Sequence, residues 1–214
     1  MINSGRRRGR PSTQTQLDKE SLLEIALTKF AEHGYNGLKL SALAKDAGIA
    51  NSLINYYFES KEDLWKQSLL FGFSKLEAKF SDVIKNFKDI EGIQLLKVLT
   101  RQLVYFNAEM PEFFMAHYRE MQADRERARW IYKNLFSPLE EKVKKTLANA
   151  QEQKIIKPFP LHVYSMIVSG AVNMFFASGY FLKKEYGKDP FDEEAIEEYA
   201  DHMIDIIFNG VKLK

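Results

Sequence analysis

Ala47-Gly48-Ile49-Ala50-Asn51-Ser52-Leu53-Ile54-Asn55-Tyr56-Tyr57-Phe58 is the stretch on which the reading of this chain turns. A glycine turn opens into a short helix with amide and hydroxyl side chains at its outward positions, and packed aromatics follow. Just upstream, Leu40, Leu43, Ala44 and Ala47 form the inward face of another short helix. With Gly48 as the sharp turn, and Ile49 and Ile54 locking the pair at a steep angle, the pattern is a helix-turn-helix. Asn51, Ser52 and Asn55 then face outward. Asparagine can pair bidentately with adenine, and serine can donate or accept at several base edges, so these side chains suit a major groove. A helical hairpin with polar residues in water would show the same pattern. The arginine tract Gly5-Arg6-Arg7-Arg8-Gly9-Arg10-Pro11, about forty residues upstream, tips the reading towards duplex DNA because it can follow phosphates.

The charge distribution says more than the total. The net charge of the 214 residues is only +2, but residues 1–15 hold four arginines and no acid. Residues 16–60 hold four lysines against six acids, and from Lys61 onward the signs nearly balance. Phosphate attraction must therefore come from the arm and a few placed lysines. There is no cysteine, so neither a disulfide nor a thiolate zinc site can hold a subdomain together, which fits a reducing compartment. The basic start is not followed by an apolar run with a small-residue cleavage site, so it does not read as a secretory signal.

Apolar residues recur at three- and four-residue steps without sustained alternation, which predicts an all-α fold of about nine helices. The first is expected from about Asp18 to His33, stopped by Gly34, and the next two over Leu40–Ala47 and Asn51–Tyr57. Ser60 caps a fourth that could run to about Phe87. Further helices fit Ile90–Glu109, Pro111–Gln122, Arg125–Gln153, Leu161–Glu185 and Glu193–Val211. The expected organisation is a flexible basic arm over 1–16, a three-helix helix-turn-helix domain over 17–60, and a helical effector-binding and dimerisation domain over 61–214.

Residues Leu161–Leu182 form a run of 22 without Lys, Arg, Asp or Glu. It is long enough for a membrane span, but polar residues interrupt it and no companion span flanks it. A helix with one side against a second subunit accounts for it better. The expected interface is Ser169, Gly170, Asn173 and Ala177 with Tyr199, Met203, Ile206 and Ile207 from the last helix, paired with a twofold copy. Large apolar and aromatic residues elsewhere read first as core. With the polar groups among them, Phe106, Phe114, His117, Tyr118, Met121, Asn173 and Phe176 are the candidate lining of a small-molecule pocket.

Three passages resemble the TetR family of transcriptional regulators: Phe30-Ala31-Glu32-His33-Gly34-Tyr35, Leu43-Ala44-Lys45-Asp46-Ala47-Gly48-Ile49, and Tyr56-Tyr57-Phe58-Glu59-Ser60-Lys61-Glu62-Asp63-Leu64. The resemblance covers about residues 18–70. It implies a DNA-binding head and a helical C-terminal domain that dimerises and usually encloses an effector. By position, Asn51, Ser52 and Asn55 would approach bases, Tyr56 and Tyr57 would touch backbone or support the helix, and Lys61 would hold a phosphate. Phe58 reads as core. Ala50 stands where the family usually has a serine or threonine cap, a loss of about 1 kcal/mol. Lys39 stands where a capping threonine is common, and Asn55 where an aromatic is frequent. Arg8-Gly9-Arg10-Pro11 is similar to the AT-hook core, which enters narrow A·T-rich minor grooves.

The function expected is a sequence-specific, cytoplasmic, homodimeric regulator of transcription, a repressor released from a palindromic operator by a small molecule. The alternatives are a DNA-bound adaptor that recruits a protein without an effector, and an enzyme on a regulator-like scaffold. The enzyme reading has little to stand on: no nucleophile elbow, phosphate-cradling glycine loop or zinc-protease helix is present, the histidines are dispersed, and no cofactor or metal is called for.

Overall fold

The computed structural model describes residues 18–86, 90–154, 156–158 and 160–211, all of them in helices and the turns that join them. Helix α1 (Lys19–Gly37) begins at Asp18, whose side chain accepts the Ser21 amide at 2.8 Å. Its buried stripe is Leu22, Ala26 and Phe30, flanked by Leu23, Leu27 and Ala31. The regular helix is broken at Gly34, with φ 69° and ψ 170°, a conformation only glycine adopts without strain. The predicted stop is therefore where it was expected, and a short extra turn follows it to Gly37.

Helix α2 (Leu40–Asp46) buries Leu43 and Ala44, and α3 (Asn51–Tyr57) buries Ile54. Between them Gly48, at φ 66°, closes a Schellman motif: Ile49 N–H donates to Ala44 O at 2.9 Å and Gly48 N–H to Lys45 O at 3.1 Å. This turn fixes the angle at which α3 leaves α2. The start of α4 (Lys61–Asn86) is capped as predicted, Ser60 Oγ accepting the Asp63 amide at 3.0 Å, while the Asp63 carboxylate accepts the Glu59 amide at 3.1 Å.

Beyond the head, α5 (Gly92–Glu109), α6 (Pro111–Ala123), α7 (Arg125–Ile131), α8 (Ser137–Glu152), α9 (Leu161–Ala177), α10 (Gly179–Tyr186) and α11 (Glu193–Val211) complete the described helices. Two of the expected helices are each split. A π-helical turn, Tyr132–Phe136, separates α7 from α8. Pro138 has no N–H to return to the preceding turn, so the α-ladder cannot run through it. The expected helix over 161–185 bends by 66° between α9 and α10, where Gly179 lies against Pro190. Among the described residues no single helix is long and apolar enough to cross a membrane.

One large core joins the head to the next helices, running from Leu22, Phe30, Leu43 and Ile54 through Trp65, Leu69 and Phe73 to Phe113, Phe114 and Ile131. Packing is continuous across residues 60 and 61. Gly72 brings α4 hard against α6, since a Cβ there would lie 2.7 Å from the Phe113 ring. Two smaller clusters sit among α5, α8, α9 and α11, one around Leu96, Tyr164 and Phe208, the other around Val104, Val172 and Met203.

His117 belongs to the large core. Its ring lies against Phe113, Phe114 and Phe136, with centroids 5.0, 5.6 and 5.0 Å away, and Nδ1 is 2.8 Å from Phe113 O. Burial pushes its pKa down to about 4, so it is neutral in the fold. The unfolded chain takes up this proton near 6.5, and the folded chain only near 4. Between those values the unfolded state binds more protons, so this contribution is whole above 6.5 and is lost as the pH falls towards 4. We expect His117→Leu to lose about 2 kcal/mol less stability than the parent between about pH 7.5 and about pH 5, read by urea unfolding at each pH. Equal losses in the two chains would remove His117 from the acid response.

Candidate nucleic-acid interface

The faces of α2 and α3 follow from what they bury. With Ile54 inward and Leu53 and Tyr57 partly covered, α3 leaves Asn51, Ser52, Asn55 and Tyr56 exposed at i, i+1, i+4 and i+5, a single polar face. Three of these are the predicted base readers. Tyr56 is 80% exposed and its ring packs edge-on against Tyr57 at 5.2 Å. Tyr57 is half-buried beside Phe58, and Phe58 lies in the core. The two tyrosines therefore differ, Tyr56 presented outward and Tyr57 bracing the helix from behind. The same periodicity exposes Ser41 and Lys45 on α2, which were not among the predicted site residues. The i, i+4 spacing opposite Leu43 and Ala44 was the signal that could have found them.

Both departures in capping are visible. Ala50 is the N-cap of α3 and Lys39 that of α2, each in extended conformation, and neither makes a side-chain cap hydrogen bond. Asn51 and Ser52 do not take over the cap, so their side chains stay on the reading face. The cations divide into committed and presented ones. Lys29 pairs with Glu32 at 2.8 Å and Asp46 at 3.4 Å, which ties α1 to the end of α2 and holds its pKa above the usual lysine range. Lys39 and Lys45 are exposed. Lys61 is half-buried at the start of α4, with Nζ 4.8 Å from the centre of the Tyr35 ring. Partial burial, then the charge of Arg127, lowers its pKa. Arg6, Arg7, Arg8 and Arg10 lie outside the described residues.

The seven predicted pocket residues do not gather around one space. Phe106, Phe114 and His117 are built into the large core, Phe106 against Phe80 at 4.9 Å. Helix α6 turns Phe113, Phe114, Ala116, His117 and Glu120 inward, so its 100° step per residue sends Tyr118 to the surface, and Met121, in the helix's last turn, is exposed as well. Phe176 packs beside the Val104 cluster and against Phe191, and Asn173 is half-buried on α9. A cleft of about 250 Å³ does open between α1, α4 and α6, lined by Leu27, Phe71, Lys75, Met110 and Phe113 among others, and none of the seven lines it.

The predicted interface residues also divide. Met203 is buried in the subunit's own core, and Ile207 packs against both smaller clusters. Tyr199 stacks on Phe175 at 3.9 Å and donates to Ala171 O at 2.6 Å. These three serve packing within the chain. Gly170, Ala177 and Ile206 are exposed, while Ser169 and Asn173 are half-buried at the edge of the same face. That face is α9's stripe of Val163, Met166, Ile167, Gly170 and Met174, which sequence periodicity alone could not separate from the buried side.

Comparison with known proteins agrees with this architecture. The family model for bacterial regulatory proteins of the tetR family matches residues 22–67, and the tetracyclin repressor-like C-terminal domain matches residues 104–213. The biofilm operon icaADBC negative transcriptional regulator IcaR of Staphylococcus aureus is 35% identical over 51 residues, 24% of this chain and 27% of that protein. RutR of Escherichia coli, an HTH-type transcriptional regulator, is 35% identical over 57 residues, 27% of each. The chain thus aligns with about a quarter of the length of these relatives. Among solved structures, a Clostridium perfringens protein described as a fatty acid metabolism regulator superposes with TM-score 0.72 at 23% identity, covering 90% of this chain and 99% of that one. The transcriptional regulator FadR of Bacillus subtilis, in complex with stearoyl-CoA, gives 0.63 at 17%, covering 86% and 96%. With a helix-turn-helix of this geometry, and a C-terminal family model spanning more than half of its length, the chain belongs to the TetR family of bacterial transcriptional regulators.

Proposed function

We propose that this protein is a cytoplasmic, homodimeric repressor in which residues 17–60 read a palindromic operator while residues 61–214 pair two copies and hold a small molecule whose binding releases the DNA. The observation that carries the reading is the single exposed face of α3, Asn51, Ser52, Asn55 and Tyr56, on a helix whose other side is locked in the core. Lys39, Lys61 and the arginines at 6, 7, 8 and 10 would supply the phosphate contacts that set register, the arm reaching into an A·T-rich minor groove.

Dimerisation is supported by the apolar face of α9. Met166 is 62% and Met174 67% exposed, and Ile206 of α11 is 73% exposed. An apolar stripe of this kind on two long helices suits an isologous four-helix contact. Twofold pairing would set the two reading helices about one DNA turn apart, ~34–36 Å, or near a multiple of it. The effector is supported by fold neighbours that were solved with small molecules: stearoyl-CoA in FadR, and choline in a transcriptional regulator from Saccharomonospora viridis. Long-chain acyl-CoA and quaternary ammonium compounds are therefore the first to test.

The test of the reading is selection of bound sequences from random duplex DNA, repeated with metabolite pools. A palindromic site that one pool abolishes is expected, a single unpaired half-site would overturn the dimeric reader, and indifference to every pool would favour the adaptor. On the selected operator, Asn55→Ala should weaken specific binding by about 1–3 kcal/mol while leaving binding to unrelated DNA unchanged. Lys61→Ala should lower the slope of log affinity against log salt by about 1, and an unchanged slope would remove it from the phosphate contacts. Met166→Asp combined with Met174→Asp should give a folded monomer by sedimentation that no longer holds the palindrome, whereas a persistent dimer would place the interface elsewhere.

A further inference from the structure

The sharpest constraint between the head and the rest of the chain lies at a buried carboxylate that the reading of DNA does not use. Once α1 breaks at Gly34, the Tyr35 N–H no longer has a helical partner, and it donates to Glu120 Oε1 of α6 at 2.7 Å. Glu120 is 3% exposed, and its other oxygen accepts from Arg127 Nε of α7 at 2.6 Å. The Arg127 guanidinium lies 4.4 Å from the centre of the Tyr35 ring, which closes the loop Tyr35–Glu120–Arg127 on itself. One residue earlier on α6, Arg119 Nη1 donates to the Ala31 and Glu32 carbonyls at 3.0 and 2.8 Å, so the open C-terminal end of α1 is bonded to the same turn of α6. A Cβ on Gly34 would lie 3.3 Å from Glu120 Oε1, so the lack of a side chain there is what lets the carboxylate come this close to α1.

Stability alone does not account for this arrangement. A well-packed apolar residue in place of a buried ion pair is commonly as stable or more so. What an apolar contact lacks is direction, whereas a carboxylate held by a backbone amide on one side and a guanidinium on the other tolerates only a narrow range of angles. Tyr35 also touches α1 through Phe30 and α4 through Trp65 and Lys61, so the fixed amide lies where the helices that carry the reading face meet.

We propose that Glu120 is the positioning residue of the reading head: bonded to the Tyr35 amide and to Arg127, it sets the angle of α1, and with it α2 and α3, against α6 and α7. Its consequence for DNA rests on the two-headed reading above, because two heads at a fixed angle discriminate between half-site spacings and loosely held ones do not.

The chain has no cysteine, so spin labels can be placed on the exposed Lys45 of α2 and Lys144 of α8 through Lys45→Cys and Lys144→Cys in the full chain. Dilution with excess unlabelled chain restricts the measured distance to one molecule. Glu120→Gln keeps an acceptor for Tyr35 but removes the charge that holds Arg127, and it should broaden the distance distribution without any DNA present. On the selected operator the same variant should lose about tenfold of the discrimination against a site with one base pair inserted between its halves, with affinity for a single half-site changed by less than about twofold. The double variant Glu120→Gln, Arg127→Gln leaves no unpaired charge in the interior, the other carboxylate that Arg127 faces, Asp124 at 3.7 Å, being partly exposed to water, so stability should return towards the parent while the distribution stays broad and the discrimination stays low. An unchanged distribution in Glu120→Gln, or one that narrows again with stability in the double variant, overturns the proposal whatever the DNA does. Failure of the parent chain to select a two-half site would instead overturn the reading of function and leave the distance result standing.

Discussion

Burial of the α1 stripe is the interaction on which the remainder of the structure depends. Leu22 and Ala26 are fully enclosed and Phe30 nearly so, because α1 packs on α4 and α6 while its neighbours Leu43, Ile54 and Phe58 close over it from the head. A three-helix head of this size has little interior of its own, since a domain of about 60 residues is already marginal and help is usually needed below about 40. By sharing one core with α4, α6 and α7 the head gains that interior. It also loses independence: a displacement of α6 must either move α1 with it or open space at Phe113, where Gly72 lets α4 and α6 come close together. Close-packed interiors do not absorb such shifts gradually.

How much of this was legible in the sequence depends on whether the cause is local. The cap at Ser60, the stop at Gly34, the turn at Gly48 and the outward face of α3 were all readable because each is decided within one or two helical turns. The break before Pro138 was readable in principle, since a proline in mid-helix was there to be weighed. The bend between α9 and α10 was not, because Pro190, the residue that Gly179 meets, lies eleven positions downstream. Side-chain roles in the second half were the least legible. His117, Phe106 and Met203 have the composition of a pocket or an interface, but whether an apolar stripe faces a neighbour, a ligand or a partner is fixed by tertiary packing. Glu120 was passed over because nothing within its own helix marks it, and both groups that it binds lie on other helices.

The reading face shows how a head with an acidic balance can still meet DNA. Acids on its surface are partly taken up by lysines of the head and of α4: Glu32 and Asp46 both face Lys29, and Glu24 pairs with Lys75 of α4. Such exposed pairs add little stability, but they withdraw negative charge from the field that an approaching phosphate would feel. Lys39, Lys45 and Lys61 are left to face outward or along the Tyr35 ring, and the sequence adds four arginines at positions 6, 7, 8 and 10. In the proposed reading affinity and specificity would be carried by different groups, the lysines and the arm arginines for the first and three short polar side chains on α3 for the second.

Helix α5 explains why the two halves of the chain are mechanically one. Leu96 and Thr100 face the cluster with Tyr164 and Phe208, the Thr100 hydroxyl 2.8 Å from that of Tyr164. One turn on, Val104 faces the cluster with Val172 and Met203, and Phe106 turns to the large core against Phe80. Leu103 touches all three clusters. A change in how α9 or α11 packs therefore has a side chain of α5 in its path, and the next residues of α5 lean on the helix that carries the head. The same geometry limits the response. Helix α5 meets α4 near Phe80, about five turns from Lys61, so under the proposed effector mechanism a shift of α5 would reach the head as a tilt of α4 about this distant contact.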